Sequence, residues 1–429
     1  MGWASSFCRV INRSTTNLQQ NILHRITVRV AYNKPNHAGV FLANFARDFA
    51  HFAVMIFFSI RVHPRRSVAR VDSENKLSCH PTDMRLFTII FLATSLLAQT
   101  PQNSHTTENL RGLSTPAPNI AWASGTHGTY LRTTDAGQTW QPAQVPGTES
   151  LDFRDVEAFN ADVAYLLAAG PGSQSRIYKT TDAGKTWSLQ FTNKDPKGFF
   201  DCMAFWNPDH GIALGDPVDN KFELITTEDG GKNWKPIPPN HLPPAITGEG
   251  AFAASGTCIA VQGKHNVWFA TGGKAARVFH STNAGKTWTV AETPIIHGAD
   301  SAGIFSIAFR DAKHGAIAGG DYQHPEANGP NLAFTQDAGR TWTLAPISPQ
   351  WYFSAVAFTS HVGTTAEACP ERSSAVVIAG TAHAACAETK ATKWQKAWDL
   401  NLNAVSASPS GEILAVGPKG LIVRLAPNR

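Results

Sequence analysis

The sequence predicts an all-β chain whose main body is a seven-bladed β-propeller, with six blades as the alternative count. Three observations carry that expectation: an octet recurring five times, a strand-rich unit repeated around each octet, and a composition poor in charge and rich in turn formers. Charged residues are 16% of the 429, against 34 Gly, 26 Pro and 12 Trp. That balance favours short strands and tight turns over long helices.

The octets are TTDAGQTW (Thr133–Trp140), TTDAGKTW (Thr180–Trp187), TEDGGKNW (Thr227–Trp234), STNAGKTW (Ser281–Trp288) and TQDAGRTW (Thr335–Trp342). Their tryptophans step by 47, 47, 54 and 54 residues, and 52 more lead to Trp394 in a decayed copy, AETKATKW. Such a period marks a repeat architecture. The Asp suits a turn in which its carboxylate accepts backbone N–H groups, and the Gly supplies a backbone angle barred to residues with a Cβ. The Trp is expected to bury its ring at the start of the next strand. The GKT in two copies is no phosphate loop, because the preceding glycine of that motif is missing.

Each octet sits in a unit of four short strands, the content of one propeller blade. The first strands read LRGLS (Leu110–Ser114), FRDVEAF (Phe153–Phe159), FFDCMAF (Phe199–Phe205), GTCIAV (Gly256–Val261), IFSIAF (Ile304–Phe309), FSAVAF (Phe353–Phe358) and LNAVSA (Leu402–Ala407). The last unit holds only three strands. A strand from around Gln102–Glu108 is expected to supply the fourth and close the ring.

The segment before the repeats reads differently. MRLFTIIFLATSLLAQ, from Met84, has the anatomy of a secretory signal with cleavage near Ala98, and it is too short to span a membrane. Residues 1–83 show no sustained period and read as a mis-annotated or disordered leader, 84–98 as signal peptide, and 99–429 as propeller. Residues 1–98 hold 12 Lys/Arg and 4 Asp/Glu, leaving 37 − 12 = 25 basic and 32 − 4 = 28 acidic residues beyond them. The net charge of +5 therefore belongs to the leader, and nucleic acid is dropped as a partner. The mature chain is expected to be exported, periplasmic or extracellular, and monomeric. Four cysteines remain in it, and Cys369 and Cys386, flanking one apolar strand, are candidates for a local bridge. No cysteine spacing suits zinc or haem, and no dinucleotide fingerprint occurs, so no cofactor is expected.

The octet resembles the Asp-box, or BNR repeat, of sialidases and many secreted propellers. Units such as NIAWASGTHGTYLRTTDAGQTW and HGIALGDPVDNKFELITTEDGGKNW are similar to the photosystem II stability/assembly factor family and its non-photosynthetic relatives, over roughly residues 110–425. That resemblance implies an exported seven-bladed propeller without catalytic activity, acting as an assembly scaffold.

Function in a propeller is expected at the channel mouth, leaving the octet aspartates structural. The candidate binding residues are Arg111, Arg154, Asp155, Asp201, Asp216, Glu249, Arg277, Asp321 and Tyr322. Aligned strand starts place Arg111 and Arg154 at one level and Asp155 and Asp201 at the next. Arginines beside carboxylates suit an anionic or polyhydroxylated ligand, so the expected occupant is a protein partner or a carbohydrate-like ligand. The enzymatic alternative is a sialidase-like glycoside hydrolase with paired carboxylates. Against it, the Phe/Tyr-Arg-Ile-Pro motif of sialidases is missing; RIYKTTDAG (Arg176–Gly184) is a partial echo.

Overall fold

The computed structural model describes residues 99–346, 351–359, 375–381, 383–388 and 394–425. The leader and signal segment lie outside the described residues, as do 389–393 of the decayed octet. Within the described residues the chain forms seven antiparallel sheets, the seven blades of a β-propeller. Blade 1 shows the pattern, with strands Leu110–Ala117, Ile120–Gly125, Thr129–Thr133 and Gln141–Gln144 paired in that order. The inner strands of blades 2 to 7 are Phe153–Ala158, Phe200–Asn207, Ile259–Gln262, Ala302–Phe309, Ala355–Phe358 and Ala404–Ala407. Among the described residues no helix is long and apolar enough to cross a membrane.

Ring closure differs in detail from expectation. The closing strand is Gln99–Gln102, pairing antiparallel with Ile422–Leu425. Residues after it turn instead, because short polar side chains bind their own backbone: Asn103 accepts the His105 N–H and Thr106 accepts the Glu108 N–H.

The core lies between blades. One buried apolar cluster fills each of the seven interfaces, such as Trp122, Phe153 and Leu166 between blades 1 and 2. Alternate residues of each strand reach opposite faces, so every blade feeds two clusters. Inner-strand side chains add hydrogen bonds across the interfaces. Ser114 accepts the Ala158 N–H at 3.1 Å, Asp155 the Met203 N–H at 2.7 Å, and Ser306 the Val356 N–H at 2.9 Å.

The octets form one turn five times. In the first, the Thr133 hydroxyl donates to Asp135 and accepts the Gly137 N–H, while Asp135 Oδ1 accepts the Thr139 N–H at 2.9 Å. Asp182, Asp229, Asn283 and Asp337 repeat that bond at 2.9–3.0 Å. Both residues after the Asp are left-handed, as at Ala136 (φ 60) and Gly137 (φ 78), which is why the second is Gly in every copy. Trp140, Trp288 and Trp342 are buried; Trp187 and Trp234 are half-buried.

A disulfide joins Cys202 on the inner strand of blade 3 to Cys258 at the entry to blade 4. Cys386 is also disulfide-bonded, while its expected partner Cys369 lies outside the described residues.

Candidate functional site

A cavity of about 800 Å3 opens where the inner strands converge. Its wall draws on the ring from blade to blade, through Arg111, Arg154, Asp201, Phe305, Ser354 and Asn403. In blades 1, 2, 3 and 5 the strand geometry explains the choice. The pairing of each inner strand with its neighbour skips one residue: Arg111 between Leu110 and Gly112, Arg154 between Phe153 and Asp155, Asp201 between Phe200 and Cys202, and Phe305 between Ile304 and Ser306. A bulge leaves one residue unpaired and re-aims its side chain. The four bulged residues are all cavity residues.

This corrects the expected levels. Arg154 and Asp201 occupy equivalent bulges, so Asp201 belongs with the arginines. Asp155 falls one residue deeper, buried between blades 2 and 3 in its bond to Met203.

The second wall is the connection from blade 3 to blade 4, longer than its counterparts. Its strand Glu249–Gly250 pairs with Gly272–Gly273, which in turn lies against Gly303 on the inner strand of blade 5. A Cβ on Gly303 would lie 2.2 Å from the Gly272 Cα, so the approach requires glycine. The connection brings Phe252 flat onto Phe305, with ring centroids 3.9 Å apart and planes within 6°. Tyr352 and Tyr322 stand edge-on to Phe305 at 4.8 and 6.1 Å, giving the cavity an aromatic side.

The basic side is the pair Arg111 and Arg154, which share Asp152. Arg154 Nε donates to Asp152 Oδ2 at 2.9 Å, whereas Arg111 Nε stands 3.7 Å from the same oxygen. Arg154 Nη1 also donates to the Ala253 carbonyl at 2.9 Å. Arg111 Nε is buried without a hydrogen-bond partner. Burial draws its guanidinium below the usual arginine range, and Asp152 opposes that shift. Burial also raises the Tyr352 phenol.

The acidic side is Asp201 and Asp216. Burial, then the neighbouring Asp216, hold the Asp201 carboxyl well above the usual range. Burial raises Asp216 to about 6, although its Oδ1 accepts the Ala251 N–H at 2.8 Å.

Of the nine candidates, Arg111, Arg154, Asp201, Asp216, Glu249 and Tyr322 line this cavity. Arg277 is committed elsewhere: its guanidinium forms a buried, two-pronged ion pair with Glu249 and donates to the Pro244 carbonyl. Thr271 and the Ile246 N–H complete the Glu249 carboxylate. Asp321 ends the second strand of blade 5 and is held by His324 and the Gln323 N–H. Sequence reasoning missed Asp152, Phe252, Phe305 and Tyr352. A usable signal was the 54-residue step from Trp234 to Trp288, whose surplus forms the second wall. Among the described residues no group of three or more His, Cys, Asp or Glu is placed to hold a metal ion.

No family model matches the chain, and no curated protein matches it. Solved propellers do. A structure described as YCF48 bound to D1 peptide aligns with a TM-score of 0.54 at 16% identity, covering 76% of this chain and 94% of that one. YCF48 from Cyanidioschyzon merolae aligns with a TM-score of 0.54 at 18% identity, covering 77% of this chain and 100% of that one. At these identities the likeness establishes the propeller fold.

Proposed function

We propose that this propeller is a non-catalytic scaffold that captures a segment of a partner protein in the cavity on its ring axis. The observation that carries the reading is the convergence of four bulged residues, Arg111, Arg154, Asp201 and Phe305, on one concave surface. Concave sites that combine apolar walls with a few fixed polar groups are where ligands bind. The hydrogen bond from Arg154 to Asp152, and the ion pair of Arg111 with the same carboxylate, orient both arginines before a ligand arrives. The likeness to YCF48, one of whose structures holds a D1 peptide, supports a peptide over a carbohydrate. So does the resemblance of the longer units around the octets to the photosystem II stability/assembly factor family, whose photosynthetic members are assembly scaffolds.

The test is direct binding of an arrayed hexapeptide library to the purified propeller. Micromolar capture by the wild type, abolished in Arg111→Ala/Arg154→Ala at unchanged melting temperature, is the expected result. Failure to capture any peptide defeats the proposal.

One observation favours a second reading. Asp201 and Asp216 are neighbouring carboxyls raised by burial inside a cavity, the equipment of an acid–base pair in glycoside hydrolysis. Against the sialidase form of it, Arg277 is already locked to Glu249. Turnover of aryl glycosides that survives repurification and dies in Asp201→Asn would move the assignment to an enzyme.

Export is part of the proposal. The Cys202–Cys258 disulfide and the bonded Cys386 suit an oxidising compartment. N-terminal sequencing of the native protein should then begin near Gln99.

A further inference from the structure

Charge divides the cavity into unlike ends. Arg111 and Arg154 share the single carboxylate of Asp152, so that end keeps an excess of positive charge. Glu249 is matched by Arg277. Asp201 and Asp216, among the described residues, have no basic group within ion-pair distance. Asp201 is 1% exposed, and its Oδ2 has no hydrogen-bond partner although the residue lines the cavity. A buried acceptor without a donor is uncommon and needs an explanation.

The surroundings hold this pair in place without satisfying it. The Cys202 disulfide is covalently next to Asp201. Asp216 is pinned by the Ala251 N–H, and Gly250 packs so closely that a Cβ there would lie 2.7 Å from Asp216 Oδ1. The rings of Phe252 and Phe305, stacked on each other, line the same cavity and give it an apolar side. Burial and the neighbouring Asp216 raise the Asp201 carboxyl, and the charge of Arg154 only partly offsets them.

We infer that Asp201 and Asp216 form a subsite for a cationic nitrogen group, the ammonium or guanidinium of a lysine or arginine in the captured segment. The arginine pair then faces an acidic group of the same segment, and the cavity reads a basic and an acidic group in a fixed direction. Two carboxylates without a third ligand suit an organic cation, whose N–H groups reach both. This subsite rests on the proposal that the cavity captures a peptide.

The experiment is a positional-scanning hexapeptide library in which each position in turn carries lysine or its uncharged analogue norleucine. The wild type should prefer lysine over norleucine by at least about tenfold at one position. Asp201→Asn and Asp216→Asn should erase that preference, read as the ratio of lysine to norleucine binding within each variant. Should either variant fail to fold, millimolar n-butylammonium chloride added to the wild type gives the same reading. It should release lysine peptides and leave norleucine peptides bound. Capture with no lysine preference, or a preference that survives both substitutions and the butylammonium, overturns the subsite and leaves the scaffold standing. Capture of no peptide at all overturns both.

Discussion

The Trp140 indole N–H donates to Gln102 Oε1 at 2.7 Å, tying the first octet to the strand that closes the ring. Gln102 is seated against Gly137, where a Cβ would come 2.3 Å from its Oε1. The octet thus serves as both turn and latch. Trp140→Ala, which removes a ring only 2% exposed, should cost about 3–5 kcal/mol in a reversible urea melt. Gln102→Ala should cost about 1–2 kcal/mol by leaving the indole N–H unpaired. Trp234 is half-buried with its indole nitrogen unbonded, so Trp234→Ala should cost less than Trp140→Ala. A Trp140→Ala change below about 1 kcal/mol would show that the octet is no latch.

The Arg277–Glu249 pair holds the cavity's second wall. Arg277 and Glu249 are 6% and 5% exposed, and together with Thr271 they fix the strand that precedes Phe252. Removing one partner strands a buried charge, so Arg277→Ala should destabilise by about 3–5 kcal/mol. Replacing both at once, as Arg277→Met/Glu249→Leu, should cost much less, because no charge is left unpaired. Chemical denaturation of the three proteins checks this. Equal losses in the single and double variants would mean that packing, and not the pair, supports the wall.

The fold was legible because five octets and seven matched first strands are a period, which survives local error. The site was less so. Arg154-Asp155 and Phe200-Asp201 look alike when strand starts are aligned by their first Phe, which sets Asp155 beside Asp201. A bulge is a two-against-one count between partner strands and leaves no mark in one strand's letters. Residue type likewise singled out Arg277 but could not reveal that Glu249, 28 residues earlier, had already claimed it. The aromatic wall escaped because Phe252 and Phe305 meet only through the glycine contact of Gly272 and Gly303.

Stability should peak near the ordinary carboxylate range and fall on both sides. A buried acid with a raised pKa keeps its proton in the folded chain after the unfolded chain has lost it. Stability then declines as pH climbs between the two values. For Glu157, raised by burial, that window runs from 4.5 to about 8, and for Asp216 from 3.8 to about 6. Asp155 and Asp201 shift in the same direction. The octet aspartates have the opposite sign. Hydrogen bonds from Thr139 and Asn233 hold Asp135 and Asp229 at about 2, so their contribution is present above 3.8 and lost as pH falls toward 2. Melting temperatures from about pH 2 to 9 should trace both limbs, and Glu157→Gln should flatten only the upper one. An upper limb identical in that variant would remove Glu157 from the account.

The Cys202–Cys258 bridge should matter to both stability and the cavity. Its partners lie 56 residues apart in sequence, and the chain between them carries Asp216, Glu249 and Phe252. Closing a loop of that length in the unfolded chain stabilises the fold by about 4 kcal/mol on the chain-entropy account. Cys202→Ala/Cys258→Ala avoids burying hydroxyls where both residues are fully enclosed, so its loss should report mainly the missing link. The urea midpoint of this variant should fall accordingly. Wild-type protein unfolded and refolded in reductant should fall at least as far, because unfolding exposes this bridge and that of Cys386 alike. Asp201 is bonded to Cys202 through one peptide link, so peptide capture by the variant should also weaken while capture through Arg111 and Arg154 persists. A variant within about 1 kcal/mol of the wild type would mean that the apolar cluster between blades 3 and 4 holds that interface without the bridge.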